Sequence, residues 1–121
     1  MYKVLIVENN PVFIKLLLHA LEAKSCECRI AEDGLQAMIV LQSFQPDIVI
    51  TDIIMPNISG DQLCRIIRDT PKTREVFLVV FSAILAEGES TIRKLGCDLM
   101  IAKGPANTVQ KYVDEIEKQL F

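Results

Sequence analysis

The chain has 121 residues, half of them hydrophobic and 24% charged, with five Gly and five Pro. That composition excludes disorder, collagen and coiled coil, and the length suits one compact domain over residues 1–121 whose core needs no disulfide or structural metal. Thirteen basic against sixteen acidic residues give a formal charge of -3, and no Lys or Arg block could track a phosphate backbone, so nucleic-acid binding is not expected.

Met1–Val7 is apolar and β-branched, as a buried strand requires, and Glu8-Asn9-Asn10-Pro11 supplies a turn with proline at the first position of a helix. From Val12 to Lys24 the pattern is helical. Lys15, His19 and Glu22 gather on one face, and the apolar residues around the rest predict that most of the helix is covered. A short strand follows at Cys26–Ala31 and a helix from about Gly34 to Phe44. After Gln45-Pro46 comes a strongly apolar strand, Ile48–Thr51, ending at Asp52.

A loop with Pro56 and Gly60 leads to a helix over Asp61–Arg68, and the polar segment Asp69–Glu75 leads to the strand Val76–Phe81. A helix around Glu87–Leu95, a strand Asp98–Ala102 and a last helix Ala106–Leu120 complete the chain. Val109, Val113, Ile116 and Leu120 form one apolar stripe on that last helix. Five strands alternating with five helices, the inner strands apolar on both faces, predict a parallel sheet covered on both sides with right-handed crossovers. The longest apolar runs fall far short of the roughly 20 residues that cross a bilayer, and the N-terminus has no signal-peptide pattern. A cytoplasmic location is expected.

In an open parallel sheet ligands sit beyond the carboxyl ends of the strands, so the residues at those ends are the candidates. They are Glu8 and Asn9 after the first strand, Asp52 after the third, Ser82 after the fourth and Lys103 after the fifth, the second strand lying at an edge. Two facing carboxylates need a proton, a lysine or a cation to offset their repulsion, which points to Lys103 and a hard divalent metal. Mg²⁺ suits the set, because it takes one or two carboxylates, keeps several waters and leaves room for phosphate oxygens. A carboxylate beside it can accept a phosphoryl group.

Val4-Leu5-Ile6-Val7-Glu8-Asn9-Asn10-Pro11, the run Pro46-Asp47 to Asp52-Ile53-Ile54-Met55-Pro56, Gly60, Phe81-Ser82-Ala83, and Gly96-Cys97-Asp98 leading to Lys103 together resemble the receiver domain of two-component response regulators. The resemblance covers essentially the whole chain. It implies a flavodoxin-like, doubly wound sheet in the order 2-1-3-4-5. By position, Asp52 would be the phosphoacceptor, and Mg²⁺ would be held by Glu8, Asn9, Asp52 and the main-chain carbonyl of Ile54. Lys103 would neutralise phosphoryl oxygens, Ser82 would hydrogen-bond the attached group, and Ser82 and Met100 would occupy the switch positions. The implied donor is a sensor histidine kinase or phosphotransfer protein. An output domain or a receiver homodimer would read the switched face of the fourth helix, fifth strand and fifth helix. The protein would then be a signalling switch and not an enzyme.

The sequence departs from that family at three places. Asn9 stands where a second acid is usual, which removes one negative charge and predicts weakened Mg²⁺ binding. Glu8 is one methylene longer than the usual aspartate and could reach inward to compensate. Met100 replaces the switch aromatic, and Gly104 separates Lys103 from Pro105. These features support the rival reading, a pseudo-receiver that serves as an interaction module without being phosphorylated. A third class, an aspartyl-phosphate phosphatase or a flavodoxin-like electron carrier, is disfavoured by Ile54 at the position of a second acid and by the lack of a glycine loop after the first strand.

The four cysteines, 26, 28, 64 and 97, have the wrong spacing for zinc with His19, and read as small apolar or reduced residues. Ile14, Leu18, Met38, Ile39 and Val40 exceed what one core stripe needs, and mark either core plasticity or a docking patch. Because the receiver uses up the length, no output domain is expected within it.

Overall fold

The structure, a computed structural model, describes residues 2–55, 57–82, 95–102 and 109–120. In chain order these form β1 (Lys3–Val7), α1 (Pro11–Glu22), β2 (Glu27–Ala31), α2 (Gly34–Val40), β3 (Ile48–Asp52), α3 (Gly60–Asp69), β4 (Phe77–Ser82), β5 (Leu99–Ala102) and α4 (Val109–Leu120). All five strands join one parallel sheet in the order β2-β1-β3-β4-β5, as expected. The helix expected around 87–95 lies, but for Leu95, outside the described residues, as do residues 106–108 at the expected start of the last helix.

Strand alternation sorts the core into two layers. Val4, Ile6, Ile48, Ile50, Val79 and Phe81 pack with α1 and α4 on one side of the sheet. Leu5, Val7, Val49, Leu78 and Val80 pack with α2 and α3 on the other. Every residue from Ile48 to Thr51 is buried, which is why β3 carries no alternating polar positions. On the first side the rings of Phe13 and Tyr112 both stand 5.2 Å from Phe81, centroid to centroid. Of the α4 stripe, Val109, Val113 and Ile116 are buried, and Tyr112 joins them.

Two expectations need correction. α1 is covered on one face only: Phe13, Leu17, Ala20 and Leu21 are buried, but Val12 is exposed and Ile14, Leu16 and Leu18 are only partly covered. Apolar residues all around a helix do not by themselves bring a second layer to cover it. α2 ends at Val40 and continues as turns, with Phe44 N–H donating to the Val40 carbonyl and the Phe44 ring buried. β5 is the second edge strand, as the order 2-1-3-4-5 implies, and is partly buried at Leu99, Met100 and Ile101, so β1, β3 and β4 are the strands that end inside the sheet.

The amino-terminal edge is held by Arg68. From the end of α3 its guanidinium donates to the carbonyls of Gly96 (2.7 Å), Arg74 (2.8 Å) and Val76 (2.7 Å), and pairs with Asp98 at 2.8 Å. Asp98 in turn accepts from the Leu78 N–H at 2.8 Å, so one side chain joins α3 to the starts of β4 and β5. Charge-assisted bonds of this kind are worth more than neutral ones, and removal strands several acceptors at once. Arg68→Ala should cost about 3 kcal/mol of unfolding free energy in urea denaturation, and Arg68→Lys, which cannot reproduce the fork, should recover less than half of that.

Candidate functional site at the carboxyl edge of the sheet

Parallel pairing of β1 with β3 puts Val7 beside Thr51, so the next residues, Glu8 and Asp52, leave neighbouring strands at the same level. Neighbouring strands lie about 4.8 Å apart, which brings the two carboxylates to one site. Glu8 is only 2% exposed; its Oε1 accepts from the Asn10 N–H at 3.1 Å, and its own N–H donates to the Ala31 carbonyl at 2.9 Å. Asp52 is half-buried, and its Oδ1 accepts from the Ile54 N–H at 3.2 Å. Asn9 is exposed beside Glu8, and Ile54 is 64% exposed at the rim.

Local sequence explains how this edge is built. Asn10 caps α1, its Oδ1 accepting from Val12 and Phe13 N–H, and Pro11 takes the first helical position where its missing N–H costs nothing. Asp33 caps α2 through the Gln36 N–H at 2.8 Å. At the start of α3, Gln62 Oε1 accepts from the Ser59 N–H, and the Ser59 hydroxyl bonds Asp61, which holds the Asp61 carboxyl below its ordinary range. Three helix N-termini therefore open at the edge that carries Glu8 and Asp52, and their dipoles favour negative charge there.

The loop after β3 is closed by glycine. Gly60 N–H donates to the Ile53 carbonyl at 2.9 Å, and a Cβ at Gly60 would stand 2.3 Å from the Asp52 carbonyl oxygen and 2.4 Å from Ile53 Cα. Asn57 takes a left-handed conformation (φ 66°), and its Nδ2 donates to Asp33 Oδ2 at 3.0 Å, joining the loops after β2 and β3. Buried Thr51 bonds the Asp52 carbonyl through its hydroxyl at 3.0 Å. Sequence reading missed Asp33, Asn57 and Thr51. The one local signal was Asn57 itself, since asparagine tolerates the left-handed region.

Of the remaining sequence candidates, Ser82 is the last residue of β4, opposite Ala102 of β5. Met100 pairs with Val80 and packs, half-buried, against the core layer on the α2 and α3 side. Lys103, Gly104 and Pro105 lie outside the described residues. Among the described residues no three His, Cys, Asp or Glu side chains cluster around a common metal position, and His19 is exposed on α1. Burial pushes the Cys64 thiol up to about 12 and Cys28 to about 11, so both stay protonated and poor metal ligands at neutral pH.

Comparison with known proteins decides the family: the model of the response regulator receiver domain matches residues 4–113. The chain belongs to the response regulator receiver domain family. It is 29% identical to the polar-differentiation response regulator DivK of Brucella anthropi over 118 residues, 97% of this chain and 94% of that protein. Response regulator TrrA of Thermotoga maritima, solved in complex with Mg²⁺-BeF, superposes with a TM-score of 0.82 at 28% identity, covering 99% of this chain and all of that one. A signal receiver domain of a histidine kinase from Syntrophus aciditrophicus gives a TM-score of 0.80 at 26% identity, covering 99% and 92% of the two chains.

This chain is thus a receiver domain of two-component signalling, with the sheet order and flavodoxin-like layering of that family. Among the described residues no helix of the receiver is long and apolar enough to cross a membrane. The two carboxylates at its carboxyl edge, Glu8 and Asp52, are hard oxygen donors that fit Mg²⁺, which needs only one or two carboxylates and fills its other positions with water.

Proposed function

We propose that this receiver accepts a phosphoryl group on Asp52 from the phosphohistidine of a cytoplasmic sensor kinase or phosphotransfer protein. The observation that carries the reading is the β1–β3 register, which sets Glu8 and Asp52 on adjacent strand ends beside three capped helix N-termini. A carboxylate oxygen of Asp52 attacks the phosphorus, the O–P bond forms as the N–P bond breaks, and the electron pair returns to the donor imidazole. The Ile54 N–H on Asp52 Oδ1 orients the carboxylate for that attack.

Mg²⁺, when bound, would be held by Glu8, Asn9, Asp52 and the Ile54 carbonyl, and would neutralise charge shared by carboxylate and phosphoryl oxygens. Lys103 would offset phosphoryl charge, and the Ser82 hydroxyl would bond the attached group. Formation of that bond would shift the population of the face near β5 and α4, with Met100 taking the place of a switch ring. The receiver turns over no metabolite; it is loaded once and read by a partner. The whole chain, residues 1–121, forms this one domain.

Incubation with a small-molecule phosphodonor should add the mass of one phosphoryl group when Mg²⁺ is present and none when it is chelated. The exposed amide of Asn9 favours one rival, a pseudo-receiver used only for docking, and failure to gain mass at any Mg²⁺ concentration would establish it. Asn9→Asp should tighten Mg²⁺ binding about tenfold in calorimetric titration, equivalent to about 1.4 kcal/mol for one more charge beside the ion. An unchanged dissociation constant would remove Asn9 from the metal site.

A further inference from the structure

The chain leaves β3 at Asp52 and becomes helical again at Gly60, so Ile54, whose N–H holds Asp52 Oδ1, sits on the connecting loop and not on a strand. Both ends of that loop are fixed by backbone bonds. Ile53 N–H donates to the Phe81 carbonyl at 3.1 Å, and Gly60 N–H donates to the Ile53 carbonyl. Ile54 lies beyond those roots. It is 64% exposed and its bond to Asp52 is long at 3.2 Å, so the bond lasts only while the loop itself is held in place. Without it the Asp52 carboxylate turns about its last torsion, which has a broad minimum.

The hold comes from the start of α2. Asn57, three residues after Ile54, donates from Nδ2 to Asp33 Oδ2 at 3.0 Å. The other oxygen of Asp33 accepts from the Gln36 N–H at 2.8 Å, so the helix cap fixes the carboxylate that the amide meets. An ionised carboxylate only accepts, and the nitrogen of the Asn57 amide must therefore face it. Gly34, the next residue of the α2 start, presses on the same loop: a Cβ there would stand 2.7 Å from Ile58 Cβ and 2.8 Å from the Ile58 carbonyl oxygen. Asp33 and Gly34 thus grip residues 57 and 58, one by a charge-assisted bond and one by close approach.

We propose that Asp33 and Asn57 are positioning residues for phosphoryl transfer at Asp52: their clasp holds the Ile54 main chain against the Asp52 carboxylate and so fixes the direction from which that carboxylate attacks. The inference rests on the reading of Asp52 as the acceptor and adds a cause for its rate. Neither residue acts by contact with the reacting atoms; the effect passes along the backbone from Asn57 to Ile54. Attack needs an aligned oxygen, and a misplacement of about 1 Å in a reacting group is enough to slow a transfer severely. Asn57 faces Asp33 from a left-handed conformation (φ 66°) that glycine and aspartate also accept, so the side chain and the backbone are separable by substitution.

Asn57→Gly keeps the left-handed backbone and removes the amide, and Asp33→Ser keeps a cap for α2 but is too short to span to Asn57. Each should slow uptake from a small-molecule phosphodonor about tenfold, and the double variant should be no slower than either, because both remove the same bond. Without Mg²⁺ or donor, the Ile54 amide should exchange its hydrogen about tenfold faster in all three when followed by NMR, while the Ile50 amide within β3 keeps the parent's rate. That contrast separates a loosened loop from a destabilised fold. Asp33→Asn combined with Asn57→Asp exchanges donor and acceptor across the clasp and should recover most of the parent's rate of uptake. Losses that multiply in the double variant, an Ile54 amide that exchanges as in the parent, a swapped pair as slow as Asn57→Gly, or full-rate labelling in chains whose Ile54 exchanges faster would each overturn the clasp alone. A parent chain that takes up no phosphoryl group would instead overturn the assignment of Asp52 beneath it, and the clasp's role with it.

Discussion

Asp52→Asn will take up no phosphoryl group from any donor, at any Mg²⁺ concentration, while folding as the parent chain does. The exchange is nearly isosteric, and the amide oxygen can still accept from the Ile54 N–H, the bond that holds Asp52 at 3.2 Å. What disappears is the anionic nucleophile. An amide oxygen neither attacks phosphorus usefully nor presents a charge to a cation, so the loss is complete and not graded. Surface-edge substitutions of this kind usually change stability by less than about 1 kcal/mol, so urea denaturation separates loss of chemistry from loss of fold. Residual labelling of Asp52→Asn at the parent's rate would place the acceptor elsewhere.

Gly60→Ala should cost about 3 kcal/mol and slow phosphorylation together. An added Cβ would meet the Asp52 carbonyl oxygen at 2.3 Å and Ile53 Cα at 2.4 Å, and both are backbone atoms with no rotamer to yield. The start of α3 must therefore retreat from β3 or push the strand end that carries Asp52. Because the clash falls on the residue that reacts, stability and chemistry are coupled here in a way they are not at Arg68, which holds the opposite edge. Urea denaturation of Gly60→Ala with a midpoint equal to the parent's would show that the α3 start gives way without strain.

The fold was largely legible because each inner strand advertises itself. Ile48–Thr51 is apolar without alternation, a pattern that only a sheet covered on both faces accepts, and helical periods separate it from its neighbours. The strand ends then named Glu8 and Asp52 as neighbours before any register was known, and the β1–β3 pairing does bring them to one level. The end of α2 was not legible: Leu41 and Phe44 continue the apolar run, and no glycine or proline marks Val40 as the stop. Nor were Arg68–Asp98 and Asn57–Asp33, which reach across 30 and 24 residues of sequence and exist only once the sheet has set their elements side by side. Local periodicity carries no record of such contacts.

The most direct test of the account is to trap the phosphorylated chain with borohydride and map its peptides. Reduction converts an acyl phosphate to an alcohol, so a phosphorylated aspartate becomes homoserine, whereas a phosphohistidine or an unmodified carboxylate does not. The account predicts homoserine at position 52 and nowhere else, with a yield that rises with Mg²⁺. Conversion at Glu8 or another carboxylate, or a labelled chain with Asp52 intact, would contradict it.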